Sequence, residues 1–316
     1  MVYDTIIIGS GLAGLTASIY ASRYQMTNTV VGKLIGGTIT LAHQVENFPG
    51  FPSISGVDLS QKIAQQVRGL GAEIVCERVV KIEIIAASGE QKHFKIFTET
   101  GKEYDAKTLI VTTGTERRKL EVSGEKEYLG KGVSYCTNCD APFFKNKRVA
   151  VAGGGDAAVS GAVHLTGFAS KVYLIHRRDQ FRAEPIWVED ALSNNKIEIL
   201  FNTRILEVLG DGNKVTGIKI DKTFDNSDEI SVDGVFVEIG GIPESGLLPN
   251  LGVSLDENNF VITSPRMETN IPGLFAAGDF TTQGLIMSQA ITACAQGAIA
   301  AASAFKFIKN KSAPRI

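Results

Sequence analysis

The stretch Thr5-Ile6-Ile7-Ile8-Gly9-Ser10-Gly11-Leu12-Ala13-Gly14 decides the fold. Its short apolar run, with no polar alternation, is the pattern of a parallel strand buried on both faces. The glycines fit G-x-G-x-x-G, which lets backbone approach a pyrophosphate while the next helix offers free N–H groups to it. A helical stretch then runs through Tyr24. The same order returns at Val149-Ala150-Val151-Ala152, followed by Gly153-Gly154-Gly155-Asp156-Ala157-Ala158 and another helix. One such loop could be a packing turn. Two, each after a strand and before a helix and about a domain length apart, argue for two nucleotide-binding folds. A solenoid would repeat at a far shorter period.

The residues downstream of each loop tell the two apart. After the second, where an acid would bind a ribose 2′-hydroxyl, stands His176-Arg177-Arg178-Asp179-Gln180-Phe181-Arg182. Arginines at a strand end fork onto a 2′-phosphate, which favours NADPH over NADH, although Asp179 could neutralise one of them. The first loop also lacks that acid, since Val30-Val31-Gly32-Lys33 occupies the position. An apolar strand ending in Gly278-Asp279 can instead place a carboxylate against a ribitol hydroxyl. Between the loops, β-type segments at 73–85, 94–98 and Tyr104 lead to a strand and turn ending at Gly114.

Shortly before the second loop stands Cys136-Thr137-Asn138-Cys139-Asp140. Two thiols at this spacing beside a dinucleotide site suit redox chemistry. Zinc is the rival, but it normally takes four ligands and would need a second pair. Cys76 reads as a buried strand residue and Cys294 as a small helix-packing one. His43, His93 and His164 read as surface or packing residues.

At 316 residues the chain can hold two cores, and its 44% hydrophobic and 21% charged residues are an ordinary globular mixture. A formal net charge of −2 gives no basic field for nucleic acid or an anionic membrane. Four cysteines are too few for a disulfide-stapled secreted scaffold. The start lacks a basic region and cleavage signal, and the Ala-rich run 289–307 is broken by Thr292, Gln296 and Gly297. The expectation is a cytoplasmic protein without a membrane span, and a loose tail over 309–316.

Taken together, these residues resemble the low-molecular-weight thioredoxin reductases, class-II members of the pyridine nucleotide-disulfide oxidoreductases. The pieces carrying the resemblance are Gly9–Gly14, Gly36-Gly37-Thr38, 45–50, Thr113-Gly114, Cys136–Asp140, Gly153–Ala158, His176–Arg182 and Phe275–Asp279, in matching order and spacing. The resemblance implies an α/β fold of two Rossmann-like three-layer domains. A discontinuous FAD domain would span 1–116 and 246–316, with an NADPH domain at 117–245 inserted and carrying the disulfide. It also implies a homodimer, rotation of one domain against the other, and thioredoxin or a glutaredoxin-like protein as partner.

By the same resemblance, FAD would meet Gly9, Ser10, Gly11, Leu12, Ala13, Gly14, Gly37, Thr38, Asn47, Val79, Gly114, Cys139, Gly278, Asp279, Ser288, Gln289 and Ala290. NADPH would meet Gly153, Gly155, Asp156, Ala157, Ala158, His176, Arg177, Arg178 and Arg182. Electrons would pass from NADPH to FAD to the Cys136–Cys139 disulfide. Cys139 would be the flavin-side thiol, Cys136 the one that attacks the partner, and Asp140 the acid–base residue. Locally, Asp140 reads equally well as a turn or cap residue.

Four departures from the family stand out. Ser288-Gln289-Ala290 lacks the usual arginine, and Thr38 replaces a glutamine. Ser160-Gly161 stands where paired glutamates are common, and 240–245 matches the nicotinamide-side turn only loosely. A reductase fed by ferredoxin or another donor is the closest alternative. A flavin dithiol oxidase and a non-catalytic flavin- or zinc-holding redox sensor both leave the arginine cluster unexplained.

Overall fold

Runs of β-branched and aliphatic residues form two large sheets, one mixed and one parallel, with cores packed on their faces. The computed structural model describes residues 1–85 and 93–312. The first segment carries β1 (Val2–Ile8), α1 (Leu12–Arg23), β2 (Asn28–Val31), α2 (Gly56–Gly69), β3 (Glu73–Val75), β4 (Val79–Ile85), β5 (His93–Thr98), β6 (Glu103–Val111) and β7 (Thr115–Arg117). The middle carries β8 (Val133–Ser134), α3 (Thr137–Asp140), β9 (Arg148–Gly153), α4 (Asp156–Leu165), β10 (Lys171–Ile175), α5 (Pro185–Ser193), β11 (Ile197–Leu200), β12 (Ile205–Gly210), β13 (Val215–Phe224), β14 (Ser227–Ile230) and β15 (Gly234–Glu238). The last carries β16 (Gly241–Pro243), β17 (Leu274–Ala276) and α6 (Ala290–Ser312).

The chain divides into two compact units, one made of Met1–Glu116 with Ile242–Ile316 and the other of Arg117–Gly241. The return crossing falls at Gly241–Ile242, earlier than the expected 245/246. Two hydrogen bonds account for this: Thr113 Oγ1 donates to the Glu244 carbonyl at 2.7 Å, and Glu244 N–H donates to that of Gly114 at 2.9 Å.

In the discontinuous unit the sheet order is β3-β2-β1-β6-β5-β4. One edge of β6 pairs with β1. The other is shared, with β5 antiparallel over 103–106 and β17 parallel over 109–111. Alternation along the parallel strands feeds two cores. Ile7, Val30, Ile110 and Phe275 face a layer with Ala17, Ala300, Ala301 and Ala304 of α1 and α6. Ile6, Ile8, Val31, Leu109 and Leu274 face Ile82, Phe94 and Ile96 of β4 and β5.

Helix α6 corrects two expectations. Its stretch Ala290–Lys309 is long and apolar enough for a membrane span by length and composition, so the polar interruptions did not break it. One face of it packs into the core of this unit. Ala300, Ala301 and Ala304 are fully buried, and a side chain at Gly297 would overlap the Ala13 carbonyl of α1. Small residues thus bring the two backbones together. The helix also runs through Ser312, so 309–312 are not loose, and 313–316 lie outside the described residues.

The inserted unit repeats the plan contiguously. Its parallel sheet runs β11-β10-β9-β15-β8, and β12-β13-β14 form an antiparallel layer. Val149, Val151, Val172 and Leu174 face Ala158, Ala162 and Leu165 of α4. Ala150, Ala152 and Val235 face Val208, Ile218 and Ile230 of the antiparallel layer. Arg117, where the chain enters, forms an ion pair with buried Glu238 at the end of β15. Cys76 is a third correction. It lies just beyond the edge strand β3 and is exposed, because the chain turns away there with Glu77 N–H bonded to the Val75 carbonyl.

Candidate functional site

The two glycine loops differ from an ordinary helix start. Helix α2 is capped conventionally, Ser55 Oγ accepting from Asp58 N–H at 3.0 Å. Helices α1 and α4 begin at Gly11 and Gly155, with no side chain capping their first N–H groups. Those donors are left for a ligand.

The glycines within each loop do separate jobs. Gly9 (φ +111°) and Gly153 (φ +151°) hold backbone angles that side chains disfavour, and a Cβ would overlap the backbone of Thr112 or Glu238. The middle glycines need no such packing reason. A Cβ at Gly11 would meet nothing nearer than the Gly36 carbonyl at 3.8 Å, and one at Gly155 nothing within 4 Å. They open the loop towards space where a pyrophosphate can sit, so both cradles fit a dinucleotide.

Around the first loop the structure gathers several distant candidates. Asn47 Nδ2 donates to Gln289 Oε1 at 3.2 Å, joining residues expected at the cofactor from opposite ends of the chain. Thr38, Asn47 and Ser288 are exposed, Val79 is buried in β4, and Ser10 spends its hydroxyl on the Leu34 carbonyl at 2.8 Å. Gly37 and Gly114 both adopt positive φ. Gly32 must stay bare, because any side chain there would overlap Ser10 N.

Gln296, read from sequence only as an interruption in an apolar run, is buried and accepts from Gly278 N–H at 2.8 Å. It fixes the Gly278-Asp279 turn, and only the three-dimensional contact gives it a role. Burial pushes the Asp279 carboxyl up to about 6, and no hydrogen-bonded or charged partner offsets that among the described residues. A group that donates a hydroxyl would.

The shift has a definite sign. The folded pKa lies above the ordinary value of 3.8, so flavin-free protein holds an extra proton between the two. The associated stability is present below pH 4 and is lost as pH rises through 6, by up to roughly 3 kcal/mol. Melting flavin-free wild type and Asp279→Asn from pH 4 to 7 should show the wild type falling relative to the variant. Parallel curves would refute the raised carboxyl pKa and the half-buried, unpartnered Asp279 behind it.

In the inserted unit, Cys136 and Cys139 form a disulfide with Cα atoms 5.3 Å apart. Cys139 is exposed and Cys136 half-buried. Cys139 N–H points at Cys136 Sγ at 3.1 Å, and Ser134 Oγ accepts from Cys136 N–H at 3.0 Å. Tyr135, just before the pair, donates to buried Glu125 at 2.8 Å, and Glu125 also accepts from Leu120 and Glu121 N–H. Asp140 closes the short helix α3, half-buried. Helix α3 lies against α4, where Gly161 leaves room for the buried Thr137 side chain. That contact favours a small residue at position 161. Among the described residues no group of three or more histidine, cysteine or carboxylate side chains is placed to share a metal ion.

Arg177, Arg178 and Arg182 are all exposed, and none forms an ion pair among the described residues, with Asp179 or any other acid. His176 behaves differently. It is 6% exposed, its ring lies where a Gly154 side chain would be, and burial lowers its pKa. Asp156 turns its Oδ1 to Glu184 N–H at 2.7 Å. Ala157 is exposed and Ala158 packs beneath the loop.

Two dinucleotide-type cradles and one accessible disulfide in a single chain define an oxidoreductase of the flavin-and-disulfide class. A family model for pyridine nucleotide-disulphide oxidoreductases matches residues 3–297. The thioredoxin reductase of Listeria monocytogenes is 41% identical over 311 residues, covering 98% of this chain and 95% of that protein. That of Bacillus subtilis is 40% identical over 311 residues, covering 98% and 96%. The crystal structure of Lactococcus lactis thioredoxin reductase superposes with a TM-score of 0.91 at 38% identity, covering 98% of this chain and 99% of that one. The chain belongs to the pyridine nucleotide-disulphide oxidoreductase family, among the low-molecular-weight thioredoxin reductases. The family implies a flavin and a pyridine nucleotide.

Proposed function

We propose that this chain is an NADPH-dependent, FAD-containing thioredoxin-disulfide reductase, serving thioredoxin or a glutaredoxin-like partner as a cytoplasmic homodimer. The observation that carries the reading is three exposed guanidiniums, without an ion pair among the described residues, in the same unit as an accessible C-x-x-C disulfide. The discontinuous unit would bind FAD and the inserted unit NADPH. When bound, FAD supplies the carrier that takes an electron pair from NADPH to the disulfide.

The chain's own residues supply the rest. Gly9–Gly14 and Gly153–Ala158 would hold the two pyrophosphates by backbone N–H groups, and Arg177, Arg178 and Arg182 the 2′-phosphate. Asp279 would accept from a ribityl hydroxyl. Gly37, Thr38, Asn47, Val79, Gly114, Gly278 and Ser288–Ala290 would line the flavin side. Cys139 would receive the electron pair, and Cys136 would attack the partner's disulfide. The Cys139 N–H near Cys136 Sγ favours that sulfur as thiolate. Asp140 would protonate the departing thiolate. Ferredoxin-fed and oxygen-coupled alternatives leave the arginines without a ligand.

The test is an anaerobic NADPH titration of the flavin-loaded protein. Bleaching complete at about two equivalents per flavin is expected, one pair for the flavin and one for the disulfide. No bleaching with NADPH, while dithionite still reduces the flavin, would overturn NADPH as donor.

A further inference from the structure

The three arginines sit on a surface loop, yet a 2′-phosphate must be met at a fixed distance from the pyrophosphate. Phe181 lies within that loop, immediately before Arg182. Its ring packs between two others, tilted by 37° to the His176 ring at 5.6 Å between centroids and by 49° to that of Phe201 at 4.7 Å. His176 in turn lies under Gly154 of the glycine loop. Two hydrogen bonds run in parallel with this packing. Arg182 N–H donates to the Gly154 carbonyl at 2.7 Å, and Glu184 N–H to Asp156 Oδ1 at 2.7 Å. On the far side Asn202 N–H donates to the Arg178 carbonyl at 2.9 Å.

We propose that Phe181 is a positioning residue that locks the arginine loop onto the second glycine loop, and thereby sets the preference for a nucleotide bearing a 2′-phosphate. This role rests on NADPH being the donor. Among the described residues the guanidiniums form no ion pair, so the loop's register is held by its backbone hydrogen bonds and by this ring packing. His176 supplies the platform: burial lowers its pKa, a hydrogen bond to the Gln180 backbone opposes that, and the neighbouring arginines add to the lowering. Removing the ring frees the loop to sample registers in which the arginines miss the phosphate. Apparent affinity then falls with the fraction of time spent in the competent register. Contacts to the pyrophosphate and adenosine, which do not involve the arginines, are left intact.

The experiment measures binding of 2′,5′-ADP and 5′-AMP to the flavin-loaded protein by calorimetry, alongside steady-state kinetics with NADPH and NADH. Phe181→Ala should weaken 2′,5′-ADP about tenfold while 5′-AMP stays within about twofold. The NADPH KM should rise in parallel, with kcat and the NADH KM unchanged. Phe181→Leu keeps apolar volume but loses the ring packing, and should give an intermediate loss of about threefold. Should the alanine variant not fold, the leucine variant carries the test. Equal shifts for both ligands, or none for either, overturn the proposal. A wild type that does not distinguish 2′,5′-ADP from 5′-AMP defeats the NADPH reading itself, and this inference with it.

Discussion

A Cys139→Ser variant is expected to purify yellow, with flavin bound, and to lose at least about a thousandfold of its thioredoxin turnover. The remaining Cys136 cannot form an intramolecular disulfide, so the electron pair has nowhere to be stored between flavin and partner. The fold should survive. The bridge spans a sequence separation of only three, and closing so small a loop contributes roughly 2 kcal/mol in the chain-entropy account. Cys139 is also exposed, so serine leaves no cavity. In the anaerobic titration the variant should bleach with about one equivalent of NADPH in place of two. Turnover retained within about tenfold of wild type would sink the disulfide relay.

The second large effect concerns the electron donor. Arg177→Ala combined with Arg178→Ala should raise the NADPH KM by about 10²- to 10³-fold, since each charge-assisted bond to phosphate is worth about 1.5–3 kcal/mol. The NADH KM should stay within about twofold, because NADH has no group for these residues to meet. Thermal stability should not move, as both side chains are exposed and form no ion pair among the described residues. Comparable KM values for NADPH before and after substitution would assign the cluster to solvent and reopen the question of the donor.

Much of this was legible in the sequence because its cause is local. Continuous apolar runs at Ile6–Ile8 and 149–152 became central strands, and the glycine patterns became uncapped helix starts. The C-x-x-C pair closed on itself across one helical turn. What was missed depends on partners distant in the chain. That the Asp156 carboxylate accepts from Glu184 N–H could not be read from its place in the glycine loop. Gln296 and Gly297 looked like breaks in an apolar stretch, and are the residues that seat α6 on Gly278 and Ala13. Cys76 looked buried because its neighbours are apolar, but it lies past the end of an edge strand. The tether from Glu125 to Tyr135 has no sequence signature, since neither residue type nor spacing marks a buried carboxylate with three donors.

The shared edge of β6 has a consequence for biosynthesis. When residue 116 leaves the ribosome, the parallel half of that edge has no partner, because β17 is still some 160 codons away. Ile7, Ile110 and the inner face of α1 likewise wait for the alanines of α6. The inserted unit, by contrast, is one uninterrupted stretch and can close as soon as it emerges. The chain order thus favours closure of the middle before the flanks. The nascent N-terminal segment carries an open strand edge throughout that interval, a state that invites off-pathway pairing and slows folding.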